Sequence, residues 1–234
     1  MTPAFRSSRL VSTAAATAIA AAAMLAAGSA SANEFYVTGS IGQTSLEHEI
    51  QRDLGPNPPA LPVADTSGTS LTSDDGTSLQ IAAGYEFDLA ALPASIGIEG
   101  FYSYETAETR NVNSVLVTDV ELDSRYGARL LFNYDVNDKF GIYTHGGVTV
   151  IDYDVTNSYT FAPPVTERSD SETAFAYGVG ARYNLTDNVS LVLDYTRLSE
   201  TQFDGIPEVA GNTGRVNPNR LGLDRLSTGL RFSF

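Results

Sequence analysis

Leu226-Ser227-Thr228-Gly229-Leu230-Arg231-Phe232-Ser233-Phe234 ends the chain and decides how the rest is read. Leu226, Thr228, Leu230, Phe232 and Phe234 share one parity; Ser227, Gly229, Arg231 and Ser233 share the other. A period of two is a β-strand, because successive side chains point to opposite faces. One face is apolar and finishes on two aromatics. The other is polar. Such a strand suits the wall of a barrel whose outside meets lipid and whose inside does not.

Seven more stretches repeat the pattern. Glu34 to Thr44 aligns Phe35, Val37, Gly39 and Ile41, and Ser78 to Phe87 aligns Leu79, Ile81, Ala83, Tyr85 and Phe87. Ser95 to Glu105 aligns Ile96, Ile98, Gly100, Tyr102 and Tyr104; Val120 to Tyr134 aligns Tyr126, Ala128, Leu130, Phe132 and Tyr134. Phe140 to Ile151 is mixed, with Phe140, Ile142, Thr144, Gly146, Val148 and Val150. Phe175 to Asn184 and Val189 to Leu198 complete the set. Each can supply the roughly 9–11 residues of a tilted membrane strand. The connections alternate. Asp88–Ala94, Asp135–Lys139 and Thr186–Asn188 are short, whereas Leu46–Thr77, Thr106–Asp119, Asp152–Thr173 and Ser199–Leu221 are long. The expected fold is all-β: an eight-stranded antiparallel up-and-down transmembrane β-barrel, with both termini at the short-turn end.

The N-terminus points to export. Arg6 and Arg9 precede an uncharged, alanine-rich stretch from Val11 to Ala27, and Ala30-Ser31-Ala32 is a small-x-small cleavage site. The expectation is a signal peptide over 1–32 and a barrel domain over 33–234. The mature chain would hold 202 residues (234 minus 32) and lose two of its 14 basic side chains but none of its 28 acids. Twelve bases against 28 acids disfavour nucleic acid as a partner. No cysteine is present, so disulfides, thiolate metal sites and cysteine catalysis are excluded.

Aromatic placement tests the barrel independently. Phe35, Phe87, Phe132, Tyr134, Phe140, Tyr183, Phe232 and Phe234 fall near the short-turn rim, and Tyr102, Tyr104, Tyr126, Phe175, Tyr177 and Tyr195 nearer the other. Two girdles around an aliphatic band are expected where rings meet lipid headgroups. The opposite parity carries Glu86, Glu99, Glu105, Arg125, Arg129, His145, Arg182, Asp194, Arg225 and Arg231. Eight strands leave an interior just wide enough for side chains. These charges are therefore expected to pair, and glycines on the same face to make room for the arginines. Most excess negative charge then lies in the long connections. Leu46 to Gly76 has six acids and one arginine, and Asp152 to Glu172 has five acids and one arginine.

Gly141-Ile142-Tyr143-Thr144-His145-Gly146-Gly147, Gly178-Val179-Gly180-Ala181-Arg182-Tyr183-Asn184-Leu185-Thr186 and Leu191-Val192-Leu193-Asp194-Tyr195 resemble strands five to seven of the outer membrane protein A transmembrane domain. Ile98-Glu99-Gly100-Phe101 resembles its third strand. The likeness is strongest from Arg125 onward and extends to small outer-membrane barrels of the porin family that lack a periplasmic domain. It implies a Gram-negative outer-membrane protein with a lumenal ion-pair network. Glu99 and Asp194 match carboxylates of that network. His145 stands where the family has an arginine, and Arg182 where it has a glutamate, so a rewired network is expected. The lumen residues singled out are Glu99, Arg125, Arg129, His145, Arg182 and Asp194. The resemblance also implies that Phe234, with Phe232, is read by the barrel-assembly machinery.

Catalytic, cofactor and metal residues are not expected. The two histidines, His48 in Leu46-Glu47-His48-Glu49 and His145 on the lumen face, lack a His-x-Ser arrangement that would activate a serine. Asp74-Asp75-Gly76-Thr77 and Asp152-Tyr153-Asp154 offer oxygen ligands but no full calcium-loop pattern. The expected role is structural or surface-interacting (adhesin-like), with outer-membrane lipid and lipopolysaccharide as surroundings and a surface ligand held by the long acidic connections. A narrow channel for small solutes or ions is the alternative.

Overall fold

The computed structural model describes residues 33–51, 69–89, 92–112, 116–159, 162–199, 201–203 and 219–234. The expected leader and the proline cluster Pro56, Pro58, Pro59 and Pro62 lie outside them.

The strands are β1 (Asn33–Gln51), β2 (Thr69–Asp88), β3 (Ala94–Glu105), β4 (Glu108–Val112), β5 (Leu116–Asp135), β6 (Phe140–Tyr159), β7 (Ala162–Asn184), β8 (Val189–Leu198), β9 (Thr201–Phe203) and β10 (Asn219–Ser233). Each neighbouring pair is antiparallel, and β10 pairs with β1 from Tyr36↔Ser233 to Glu49↔Arg220, which closes the ring. β4 continues β3 along β5, and β9 continues β8 along β10. The result is the expected eight-walled up-and-down barrel. Short turns carry their own chemistry. Asn137 Oδ1 accepts from the Lys139 and Phe140 amides, each at 2.9 Å, and Thr186 Oγ1 accepts from the Val189 amide at 3.1 Å.

The strands run further than the alternation suggested. β5 and β6 each span 20 residues and β7 spans 23. Much of what reads as long connection is therefore hairpin. The reason is that the outward face changes chemistry without ending the ladder. On β2 it runs Phe87, Tyr85, Ala83, Ile81, Leu79, then Thr77 and Asp75; on β7 it runs Tyr183, Ala181, Val179, Tyr177, Phe175, then Thr173 and Ser171. The apolar band stops at a common level, and the pairing goes on. At about 3.3 Å per residue and a tilt of about 45°, a 20-residue strand rises roughly 47 Å, against an apolar band of roughly 25 Å. The wall thus extends about 20 Å beyond the apolar band, mostly on the hairpin side.

One strand breaks parity. A bulge between Leu122 and Ser124 shifts the β5–β6 register, so Val120 and Leu122 point inward with Arg125 rather than outward with Tyr126. With Leu46, Ala107, Ile151, Tyr153, Val155, Ala174, Ala176, Leu198 and Leu223 they form a buried apolar cluster inside the hairpin end. The interior is therefore polar along the membrane and apolar above it.

Candidate functional site

The lumen is filled in tiers. Nearest the short turns, Glu86 receives Arg231 Nη1 at 2.9 Å and Arg182 Nη1 at 3.4 Å, and the Ser95 hydroxyl donates to it. Arg182 Nη2 also reaches Asp135 at 2.9 Å. Glu86 comes from β2, Arg182 from β7 and Arg231 from β10, so the tier ties opposite walls together.

The middle tier is built on Arg129. Its Nε lies 2.6 Å from Glu99, its cross-strand neighbour, and its Nη1 lies 3.4 Å from Asp194. Asp194 also accepts from Tyr143 Oη at 3.0 Å and Thr196 Oγ1 at 2.7 Å, and His145 Nε2 stands 3.1 Å away. The buried His145 Nδ1 has no partner. Arg129 Nη1 lies 3.2 Å and Thr196 Oγ1 3.4 Å from the same His145 Nε2, so the ring joins the tier through that nitrogen.

Above it, Glu105 accepts from Arg125 at 2.8 Å, Thr44 at 2.6 Å and Ser103 at 2.7 Å. Arg225 beside them donates to Ser78 at 2.9 Å and Ser40 at 3.2 Å. The apolar cluster caps this tier. Between the tiers lies a cavity of about 10 Å³, room for roughly one water, lined in part by Thr38, Gln80, Glu99, Asp194 and Arg231. Thr38 Oγ1 and Arg231 Nε, both buried without a protein partner, border it. A column built this way holds its charges in place through pairs that join different walls.

Of the residues singled out by sequence, Glu99, Arg129, His145 and Asp194 meet in one tier. Arg125 belongs to the tier above and Arg182 to the tier below. Phe232 and Phe234 face outward at the rim, and the Phe234 amide donates to the Phe35 carbonyl at 2.9 Å as the last rung of closure. His48 falls in β1, outside the residues whose side chains are described. The Asp152 carboxylate accepts from Ser124 at 3.1 Å on the hairpin side. Among the described residues, no group of three or more acid or histidine side chains is arranged to hold a metal.

Three lumen features escaped the sequence reading as sites. Glu86 is a hub, not a bystander. Tyr36 and Tyr143 fill the lumen beside glycines: a Cβ on Gly84 would lie 2.4 Å from the Tyr36 ring, and one on Gly180 would lie 2.2 Å from the Tyr143 ring. These two glycines make room for rings, and a third serves an arginine: a Cβ on Gly147 would lie 2.8 Å from that of Arg129. The parity of both tyrosines, opposite to their apolar neighbours, was the available signal.

A barrel with an apolar belt outside and paired charges inside is an integral membrane barrel. Residues 12–230 match the family described as Outer membrane protein beta-barrel domain, and the chain belongs to that family. It is an outer-membrane protein of the Gram-negative type. Among solved structures, it is similar to Ail of Yersinia pestis in complex with the heparin analogue sucrose octasulfate, at 16% identity over 85% of this chain and 99% of that one, TM-score 0.41. It is similar to Neisserial surface protein A at 18% identity over 86% and 97%, TM-score 0.44. OprG of Pseudomonas aeruginosa aligns at 12% identity over 87% and 96%, TM-score 0.45. Likeness at these scores carries nothing about activity. No curated protein matches the chain.

Proposed function

We propose that this protein is a non-conducting, non-enzymatic outer-membrane barrel whose projecting hairpins make its contacts at the cell surface. One observation carries the reading: every tier of the lumen is occupied, from Glu86–Arg231 through Glu99–Arg129 and Glu105–Arg125 to the apolar cluster around Leu122 and Ile151. A wall that stands clear of lipid and is sealed inside is a rigid support for exposed groups. Its partners are outer-membrane lipid and lipopolysaccharide around the belt, the assembly machinery at the terminal strand, and a surface ligand at the hairpins. A leader ending at Ala32 is removed on export. The acids of the hairpin end, Asp74, Asp75, Asp152 and Asp154 among them, favour a cationic or divalent-bridged ligand over a bare polyanion. Attraction of that kind is screened within about 8 Å at physiological salt.

The test pairs two measurements: conductance of the purified barrel in a planar bilayer and adhesion of cells that display it. Adhesion that falls as salt rises, without conductance, is the expected result. Stable ion-selective conductance would replace this reading with the channel.

A further inference from the structure

Beyond the membrane the barrel wall opens along two seams. Among the described residues, β2 from Thr69 to Gly76 pairs with β1 alone, and β7 from Ala162 to Thr173 pairs with β6 alone. Among the described residues the hydrogen-bonded ladder of the outer end is therefore two sheets, β9-β10-β1-β2 and β4-β5-β6-β7, over the apolar cluster. Both seams begin the same way. The Thr106 amide donates to the Thr77 carbonyl at 3.0 Å, and Thr106 Oγ1 accepts from the Thr77 amide at 3.0 Å. Across the barrel, the Ser199 amide donates to the Phe175 carbonyl at 2.8 Å, and Ser199 Oγ accepts from the Phe175 amide at 3.2 Å. A hydroxyl residue finishes the last rung each time.

Alternate residues of a strand aim their amides to the same side. Asp75 thus faces the first seam with Thr77, and Ser171 faces the second with Phe175. Both amides are already taken. The Asp75 amide donates to Asp74 Oδ1 at 2.9 Å, and the Ser171 amide donates to Asp170 Oδ1 at 2.9 Å. Arg168 holds the other oxygen of Asp170 at 2.6 Å. An open strand edge invites another chain, and natural edges are blunted by charge and by proline. Pro163 and Pro164 stand in the same stretch of β7.

We propose that Asp74 and Asp170 are edge guards. Each carboxylate fills one of the seam-facing amides that a strand of a second copy of this chain would use, and so hinders the projecting end of the barrel from pairing with its neighbour. A second copy is the relevant intruder, because copies in one membrane share orientation and present their edges at one height. This inference concerns self-association and stands apart from the surface-interaction reading.

The experiment compares the parent with D74A/D170A and D74N/D170N in detergent micelles, by light scattering coupled to size exclusion, with amide exchange read at Asp75 and Ser171. Both positions lie outside the lumen tiers, and circular dichroism checks that each barrel forms. The alanine pair is expected to expose both amides to exchange and to lower the concentration at which dimers form by about tenfold, the scale of one charge-assisted hydrogen bond. The asparagine pair keeps an acceptor and is expected to stay monomeric. An alanine pair that remains monomeric with unchanged exchange would overturn the proposal. So would an asparagine pair that associates as readily as the alanine pair, since repulsion rather than the amide cap would then be the guard.

Discussion

The Arg231 guanidinium lies over the Tyr36 ring, 3.8 Å from its centroid, and reaches Glu86 at 2.9 Å. The Tyr36 hydroxyl is buried and has no partner. Ring and hydroxyl therefore make opposite contributions. Tyr36→Phe keeps the cation–π contact and removes an unsatisfied group, so it is expected to leave stability unchanged or raise it by about 1 kcal/mol. Tyr36→Leu loses the ring and is expected to cost about 2 kcal/mol at this desolvated site. Urea unfolding of the barrel in lipid vesicles reads both, and a Phe variant weaker than the Leu variant would refute the argument.

Glu99 is the sole carboxylate within 3 Å of Arg129 among the described residues, and it is 1% exposed. Removing it leaves a buried guanidinium dependent on Asp194 at 3.4 Å. Glu99→Ala is expected to destabilise the barrel by about 3–5 kcal/mol. Removing both charges with Glu99→Ala and Arg129→Leu together is expected to cost less than Glu99→Ala alone. Equal losses in the same unfolding assay would mean that water reaches the tier and relieves the lone charge.

The barrel was legible because a period of two, once fixed at Leu226 to Phe234, sorts every wall into a lipid side and a lumen side. The same rule placed Glu99, Arg129, His145 and Asp194 inside. It could not say which of them meet, because partners sit on walls remote in sequence; Glu86 and Arg231 are 145 residues apart. It also failed where the backbone changes phase. The bulge at Leu122/Ser124 sends Val120 and Leu122 inward, and no residue there announces it. The projecting hairpins were missed for a different reason. Alternation was sought as apolar against polar, and above the membrane the outward face is polar too, so the contrast vanishes while the hydrogen bonds persist.

Two glycines separate close packing from mere flexibility. A Cβ at Gly180 would lie 2.2 Å from the Tyr143 ring and 2.6 Å from the Leu193 carbonyl, whereas one at Gly39 would meet nothing within 4 Å. Gly180→Ala should therefore displace Tyr143 from Asp194 and lower the yield of folded barrel. Gly39→Ala should leave the yield unchanged. The heat-dependent gel shift of folded against unfolded barrel measures this, and equal yields would count against the packing.

Acid should act on the hairpin end through Asp152. Burial, with Asp123 nearby, raises its carboxyl above the ordinary range, although Ser124 opposes the shift with a hydrogen bond. A carboxyl raised in the folded state binds more protons folded than unfolded. Its contribution to stability therefore falls as pH climbs from the unfolded value of about 3.9 through the folded one. Asp152→Asn removes that titration. The variant is expected to match the parent at low pH and to exceed it in thermal stability near neutrality. A variant that is less stable than the parent at neutral pH would reverse the sign and place the carboxylate among the stabilising groups.

The terminal residue tests closure itself. Phe234 is 76% exposed, its ring centroid lies 6.0 Å from that of Phe35, and its amide makes the final rung to the Phe35 carbonyl. The β1–β10 seam joins the first and last strands, so it cannot form until the whole wall is present. Phe234→Asp puts a charge at the lipid rim where two rings meet, and deletion removes the rung as well. Both are expected to reduce assembled barrel in cells several-fold, more than Asp154→Ala on the projecting wall. Refolding of the purified variants into vesicles separates two causes. A variant that refolds normally but fails in cells has lost recognition by the assembly machinery, whereas failure in both settings means that the Phe35–Phe234 contact closes the barrel physically. Normal assembly in cells of either variant would end the claim that this residue is read at all.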